Sequence, residues 1–315
     1  MKITPVLIIC YRRYGNVLKL VAHLHASGVS HVYLALDGKS EGTSDDRESF
    51  LSELELLCEK TGVILEMWIR PNNLGPAVSI ITAIDWFFTK QNFGVILEDD
   101  LEIGIDTIAF FQKSLKTYRD DPNVAIISGS NFWGRESSSL MWSSFPITWG
   151  WATWKNRWND LRQVFFSSDT DFVKFGKLNE RLFWKVGLHR CLSGRQDAWD
   201  IPFASYFRNL HRVCVFPPVN LISNIGVDAF AGNTFENKWP LFQRIGSFGN
   251  IDQISFNHQF KQIDCLDSSI LSQIYGVTNK NIFSGLFYFS THPFFSLKNH
   301  RHNSLSNRIA SVQIP

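Results

Sequence analysis

From residue 5 to residue 128 the chain alternates short apolar runs with longer amphipathic ones. Pro5 to Cys10 is an apolar run of strand length, and Val17, Leu20, Val21 and Leu24 then recur at i, i+3, i+4 and i+7, marking a helix with one buried face. His31 to Leu36 reads as a second strand and ends at Asp37-Gly38. Arg47 to Thr61 is a charged helix carrying Phe50, Leu54 and Leu57, and Val63 to Ile69 is a third strand. A turn at Pro71-Asn72-Asn73-Leu74-Gly75 leads into a helix with Ala77, Ile80, Ile81, Ile84, Phe87 and Phe88 on one side. Gly75 fits the turn or cap before that helix. A fourth strand ends in Glu98-Asp99-Asp100, a helix after Asp106 carries Ile108, Phe111, Leu115 and Tyr118, and Val124 to Ser128 is a further strand. Strands alternating with helices of this length predict an α/β fold, a mostly parallel sheet with helices on both faces.

After about residue 130 the pattern turns irregular and aromatic. The chain has 27 Phe and 11 Trp, and many of the tryptophans fall between residues 133 and 199. Trp149-Gly150-Trp151-Ala152-Thr153-Trp154 precedes a mixed helical stretch to about Arg190, followed by Asp197-Ala198-Trp199-Asp200 and a strand at Val213 to Phe216. No internal repeat and no long linker is visible. We read one domain in two halves, 1–130 and 131–275, with an aromatic and basic extension over 276–315. Within that extension Ile282 to His302 holds Phe283, Phe287, Tyr288, Phe294 and Phe295, then Lys298, His300, Arg301 and His302. Packing back on the core is the plainer expectation for it. Peripheral contact with a membrane surface is the alternative, because aromatic residues beside bases suit that interface. The last dozen residues are expected to be mobile.

Composition narrows the classes. A hydrophobic fraction of 44% with 19% charged residues is ordinary for a soluble globular chain, and a net charge of +2 makes no case for a nucleic-acid partner. The five cysteines are scattered, with no Cys-x-x-Cys pair, so neither a zinc site nor a disulfide framework is expected. They read as buried thiols of a reducing cytoplasm, with the inner membrane face as a peripheral location. The N-terminal apolar run meets Tyr11-Arg12-Arg13 without a small-residue cleavage site, so it reads as a first strand and not a signal peptide. No run approaches the ~18 apolar residues of a membrane span. Neither Gly-x-Gly-x-x-Gly after the first strand nor Gly-x-x-x-x-Gly-Lys-Ser is present, which argues against a dinucleotide fold and a P-loop NTPase.

The chemistry is concentrated where the fourth strand ends. In open α/β sheets the ligand crevice lies outside the carboxyl ends of the strands. Three carboxylates there repel one another unless a cation is shared among them, and Mg²⁺ or Mn²⁺ is suited to carboxylates and substrate phosphates together. Asp45-Asp46 and Asp120-Asp121 serve as internal controls, since both lie among polar residues with no preceding strand. The plain alternative for Glu98-Asp99-Asp100 is a cap for the following helix. Likewise Arg12-Arg13 could be a solvated turn, Asp37 a turn residue before glycine, and the tryptophans simply core. Trp149 and Trp151, flanking Gly150, could instead wall a sugar pocket, with the glycine permitting close backbone approach.

Acids at two strand ends, a basic pair after the first strand, a tryptophan-rich middle and a later Asp-x-Trp-Asp fit a nucleotide-sugar transferase of the GT-A kind. The chain resembles a bacterial relative of the Golgi N-acetylglucosaminyltransferase I family (glycosyltransferase family 13). Glu98-Asp99-Asp100-Leu101 matches that family's Glu-Asp-Asp-Leu, Cys10-Tyr11-Arg12 its Cys-Asp-Arg turn, and Asp37 the aspartate ending its second strand. Trp149-Gly150-Trp151 is similar to its Gly-Trp stretch and Trp199-Asp200 to its later Trp-Asp. The resemblance runs in order through roughly residues 4 to 235 and is patchy between the motifs. Tyr11 departs from the family's acid, and donor and acceptor do not carry over. The resemblance implies that Asp100 ligates the metal, Glu98 and Asp99 contact the nucleoside or its ribose, Asp37 lies near the base and Arg12 near the nucleotide. It implies a donor-binding first half, an acceptor-binding second half with Trp149, Gly150, Trp151 and Trp199, and a GT-A fold.

An inverting transfer also needs a base across the sugar from the metal, hence from the second half. Asp200 and Asp197 are the candidates, the family's Trp-Asp favouring Asp200. Two acids opening a helix is the alternative. The expectation is therefore an inverting glycosyltransferase moving a sugar from a nucleotide donor, with UDP the expected nucleotide, to a saccharide or lipid-linked saccharide acceptor. The rivals are a sugar nucleotidyltransferase, whose Gly-rich loop is missing after the first strand, and a non-catalytic glycan-binding protein on the same fold.

Overall fold

The computed structural model describes residues 4–39, 46–131, 139–167, 171–226, 245–247, 251–256, 263–291 and 304–315. Strands β1 (Val6–Cys10), β2 (His31–Leu36), β3 (Ile64–Ile69) and β4 (Phe93–Glu98) lie parallel in the order β3-β2-β1-β4, as expected when each return is made by a helix. Those helices are α1 (Tyr14–Ala26), α2 (Arg47–Thr61) and α3 (Pro76–Lys90). Next come β5 (Leu101–Ile103), α4 (Thr107–Thr117), β6 (Val124–Ser128), β7 (Met141–Ser143), β8 (Trp151–Trp154) and α5 (Lys155–Leu161). The second half continues with α6 (Leu178–Leu192), α7 (Asp200–Asn209), β9 (Val213–Phe216) and β10 (Ile222–Asn224).

Among the described residues the main sheet has eight strands, in the order β3-β2-β1-β4-β8-β6-β9-β7. β8 runs antiparallel between β4 and β6, and β7 runs antiparallel to β9 at the edge. The other six strands point the same way, so the sheet is mixed and mostly parallel. Helices cover both faces. Leu7 and Ile9 of β1 pack into one core with α3, α6 and α7, whereas Val6, Ile8 and Cys10 pack into another with α1, α2 and α4. This double burial is why β1 reads as a continuous apolar run and not an alternating one.

The structure departs from the sequence reading in two places. Trp151 to Trp154, given no element of its own in the sequence reading, is an interior strand that leads straight into α5, and all four of its residues are buried. The last residues are not mobile but form a docked helix. Following α8 (Ile263–Ser269) and α9 (Lys280–Thr291), helix α10 (Leu305–Ala310) is capped by Ser304 and buries Leu305 and Ile309 in the first core. Two apolar side chains one helical turn apart are enough to seat so short a helix. α9 packs on α6, with Gly285 against Leu182 and the Tyr288 hydroxyl 2.6 Å from His189 Nδ1. Its Phe283 and Phe287 stay exposed. Phe294, Phe295 and the basic run to His302 lie outside the described residues. Among the described residues Cys10, Cys58, Cys191 and Cys214 are buried free thiols, and no helix is long and apolar enough to cross a membrane.

Candidate active site

The acidic triplet lies at the carboxyl end of β4, next to the end of β1, and its three members do different things. Asp99 is buried and builds the site. Its Oδ2 accepts the backbone N–H groups of Tyr11, Arg12 and Arg13 at 2.7, 3.0 and 3.2 Å, so this carboxylate folds the turn between β1 and α1 around itself. Three amides on one oxygen form an anion-binding nest at the start of a helix, filled by the chain's own side chain. Asn16, one turn into α1, donates Nδ2 to the carbonyls of Asp99 and Leu101, each at 2.9 Å, and so fixes the backbone on both sides of Asp100.

Asp100 is presented by that frame and covered by β10. The strand pairs antiparallel with β5, and Ile225 N donates to Asp100 O at 2.8 Å. The Asn224 side chain hydrogen-bonds Asp100, and its Oδ1 accepts from Gly226 N at 2.7 Å. A Cβ on Gly226 would lie 2.4 Å from Asp100 Oδ2, closer than real contacts allow. Burial first, and Asp99 second, raise the Asp100 carboxyl from 3.8 to about 6, against the opposing pull of Arg13 and Asn224. Glu98 is half-buried and pushed further up, by burial and then by Asp100, Asp99 and Asp200. The cluster is thus costly as an array of bare anions, and a divalent cation would relieve it.

The residues fit such an ion of the phosphate-sharing kind. No group of three or more metal-ligating side chains occurs among the described residues. Mg²⁺-like ions are commonly held by one or two carboxylates plus substrate phosphates, without a protein cage. Asp100, with Glu98 beside it, supplies that much. Gly226→Ala should then push a methyl into the Asp100 carboxylate and weaken Mn²⁺-dependent UDP binding by ~10–100-fold, as losing an outer support does, with little change in Tm. Titration calorimetry checks this, and wild-type affinity would show that Asp100 has room to spare.

Among the described residues the guanidinium paired with the acids is that of Arg13, whereas the resemblance singles out Arg12. Arg13 Nη1 is 3.6 Å from Asp99 Oδ1 and its Nη2 donates to Gly226 O at 3.4 Å. The Arg12 guanidinium lies 4.6 Å over the ring of Tyr11. Neighbouring residues on a turn point in different directions, and a dibasic pair gives no sign of which will face inward. Asp37 is 3% exposed, and its carboxylate accepts from Gly38 N at 3.0 Å and from Leu74 N at 3.2 Å. It joins the end of β2 to the 71–75 turn. Burial raises its pKa, with Arg70 and these N–H groups opposing.

Asp200 is the first residue of α7. It is solvent-accessible, yet enough protein surrounds it for burial to raise its pKa. Glu98 and the Tyr275 hydroxyl are both pushed up chiefly by burial, and the charge of Asp200 adds to each. The structure therefore brings Asp200 near the triplet, from a segment about 100 residues away in sequence. Asp197 is used differently. Its Oδ1 pairs with Arg308 Nη1 at 3.2 Å, and its Oδ2 abuts Gly75, whose φ of 76° and missing side chain permit the approach.

The tryptophan expectation needs the largest correction. Trp151 and Trp199 are 1% and 6% exposed and stack on each other in the core with centroids 6.1 Å apart. Bulky rings there fill the space between β8 and α7 and offer no face to a sugar. Gly150 has φ 60° and makes room for Ile222 of β10, since a Cβ would lie 2.0 Å from Ile222 Cδ1. The close approach it permits is by a protein side chain. Trp149 is half-buried and keeps an accessible edge. The site residues that sequence reasoning passed over are Asn16, Asn224 and Gly226, and of the basic pair it did not single out Arg13.

No family model matches the sequence, and no curated protein does. Among solved structures the chain is similar to the mannosyltransferase PcManGT from Pyrobaculum calidifontis in complex with GDP-Man and Mn²⁺. That likeness has 12% identity and TM-score 0.39, over 66% of this chain and 69% of that one. It is also similar to a UDP-glucose pyrophosphorylase complexed with UDP-glucose, at 6% identity and TM-score 0.38, over 68% and 90% of the two chains. A third is HddC from Yersinia pseudotuberculosis, at 12% identity and TM-score 0.30, over 49% and 78%. Likeness at this level bears on neither the activity nor the substrate of this chain.

Proposed function

We propose that this protein is an inverting, divalent-metal-dependent glycosyltransferase of the GT-A kind, using a nucleotide-sugar donor with UDP as the expected nucleotide and a saccharide or lipid-linked saccharide acceptor. One observation carries the reading: burial raises the carboxyl pKa of Glu98 and Asp100 at the end of β4 and of Asp200 at the start of α7, and the charge of Asp200 adds to the rise at Glu98. Perturbed carboxyl groups converging from distant segments on a strand-end crevice are what an acid–base and metal site requires.

In this reading Asp100, with Glu98, would hold Mn²⁺ or Mg²⁺, which when bound neutralises the diphosphate leaving group without proton transfer. The residues of the chain do the rest. Asp99 and Asn16 hold the backbone that presents Asp100, and Arg13 adds a positive charge where the nucleotide's phosphates would approach. Asp200 accepts the proton of the acceptor hydroxyl as that oxygen attacks the anomeric carbon and the carbon–phosphate-oxygen bond breaks. A carboxylate with a raised pKa is a stronger base than a free one. The resemblance to glycosyltransferase family 13 supports the roles of Asp100 and Asp200 alone, since it implies nucleoside contacts for Glu98 and Asp99 and a nucleotide contact for Arg12, and it does not extend to the donor sugar.

The test is incubation with a panel of nucleotide sugars and Mn²⁺. Slow release of the nucleoside diphosphate, dependent on the metal, is the expected result. Release of nucleoside triphosphate only when pyrophosphate is supplied would move the assignment to a sugar nucleotidyltransferase. Sugar binding with no turnover of any donor would leave a glycan-binding protein.

A further inference from the structure

Helix α10 returns the chain to the candidate site and places Arg308 between two of its supports. Arg308 Nη2 donates to the carbonyl of Leu74 at 2.7 Å, and Nη1 to Asp197 Oδ1 at 3.2 Å. Each partner is tied to a functional group. The N–H of Leu74 is held by the Asp37 carboxylate at the end of β2, on the side expected to receive the nucleotide. Asp197 precedes Asp200 by three residues and lies against Gly75, so the turn and the loop already touch. Arg308 itself is carried on a seated helix, between Leu305 at 1% and Ile309 at 5% exposure.

Energy alone gives this contact little purpose. The side chains of Arg308 and Asp197 are 33% and 35% exposed, and ion pairs so open to water contribute little to stability. Its geometry is more informative. A guanidinium is a planar fork that can engage two acceptors at once in fixed directions, as an ammonium cannot. Here the two acceptors belong to segments far apart in sequence.

We propose that Arg308 is a positioning residue, which holds the Asp197–Asp200 loop in register with the 71–75 turn and so sets where Asp200 stands relative to the donor side of the crevice. This role rests on the reading of Asp200 as the base. A misplacement of about 1 Å in a reacting group can cost ~10²-fold in rate while ground-state binding is little changed.

The experiment compares Arg308→Ala, Arg308→Lys, Asp197→Asn and the double variant Arg308→Ala/Asp197→Asn in the donor-hydrolysis and transfer assays, with Asp200→Asn alongside. Expected are near-wild-type Tm and Mn²⁺–UDP affinity in all of them. For Arg308→Ala and Asp197→Asn kcat should fall by ~10–10²-fold with little change in donor KM. Arg308→Lys should recover part of the loss, because it reaches one partner only, and the double variant should be no worse than the poorer single one. Should Arg308→Ala fold poorly, Asp197→Asn decides the matter, since it is isosteric and leaves α10 seated. Additive losses, or a Tm drop with unchanged kcat, would overturn the positioning role. If Asp200→Asn abolishes transfer while Arg308→Ala and Asp197→Asn turn over normally, the base stands and the positioning role alone falls. If Asp200→Asn keeps full transfer, the base assignment falls and takes this role with it.

Discussion

Asp200→Asn should lower sugar transfer by the ~10²–10⁴-fold typical of a lost general base, while Mn²⁺-dependent UDP binding stays near wild type. Asparagine keeps the shape of aspartate and can still open α7, so the variant removes proton acceptance and little else. The pH profile supplies a second readout. Burial raises the Asp200 carboxyl above the ordinary aspartate value of 3.8. Activity that needs the ionised form must then rise with pH through that raised value, so the acid limb of kcat should lie above the ordinary aspartate value. In Asp200→Asn that limb should be lost from the residual rate. Transfer within a few-fold of wild type would rule Asp200 out. Asp197, already committed to Arg308, is the poorer substitute that would remain.

Asp100→Asn should abolish metal-dependent UDP binding and, in the absence of metal, make the protein more stable at neutral pH. The second effect follows from the direction of the shift. The folded-state carboxyl is raised from 3.8 to about 6 by burial and by Asp99. Its stabilising influence is therefore fully present below pH ~4, and it is lost as pH rises through about 6, because the unfolded chain ionises first. At pH 7.5 the difference amounts to at most on the order of 2–3 kcal/mol, and asparagine escapes it. Metal-free wild type and variant should thus melt together near pH 4 and apart at pH 7.5, with the variant higher. Adding Mn²⁺ with UDP should raise Tm in the wild type and not in the variant. UDP titration with Mn²⁺ that is unchanged in Asp100→Asn would remove the metal assignment.

Much of the fold was legible in the sequence because the physics involved is local. The helices α1, α2 and α3 announce themselves by apolar spacing, and β1, β2 and β4 by apolar runs whose two faces are both covered. The acidic triplet was legible for the same reason, being three adjacent residues at the end of one such run. β8 was not. It is four residues long and takes its place between β4 and β6 only through pairings with Phe93–Ile96 and Ile127–Ser128, which leave no periodic trace in its own sequence. β5, β7 and β10, at three residues each, are shorter still.

The division of labour inside the site belongs to tertiary structure entirely. In the sequence Glu98, Asp99 and Asp100 are three equal acids, and Arg12 and Arg13 are two equal bases. Packing against the turn after β1 commits Asp99 to three backbone amides, and the return of β10 leaves Asp100 beside Asn224 and a glycine. The tryptophans were equally ambiguous, since a ring that walls a sugar site and a ring that fills a core have the same composition and spacing. Only the seating of α7 against β8 decided that Trp151 and Trp199 are core. Nor does a short helix at the end of the chain declare its dock. The sequence of α10 shows two apolar residues and an arginine, and it took the positions of Leu74 and Asp197 to give that arginine two partners. By itself the sequence determined that an acidic cluster ends a buried strand of an α/β sheet, because apolar spacing and strand-end chemistry act over a few residues. Which acid folds the turn, which cation pairs with it and which distant carboxylate adds its charge to the cluster were decided by the tertiary structure, because each depends on contacts between segments whose order along the chain carries no record of them.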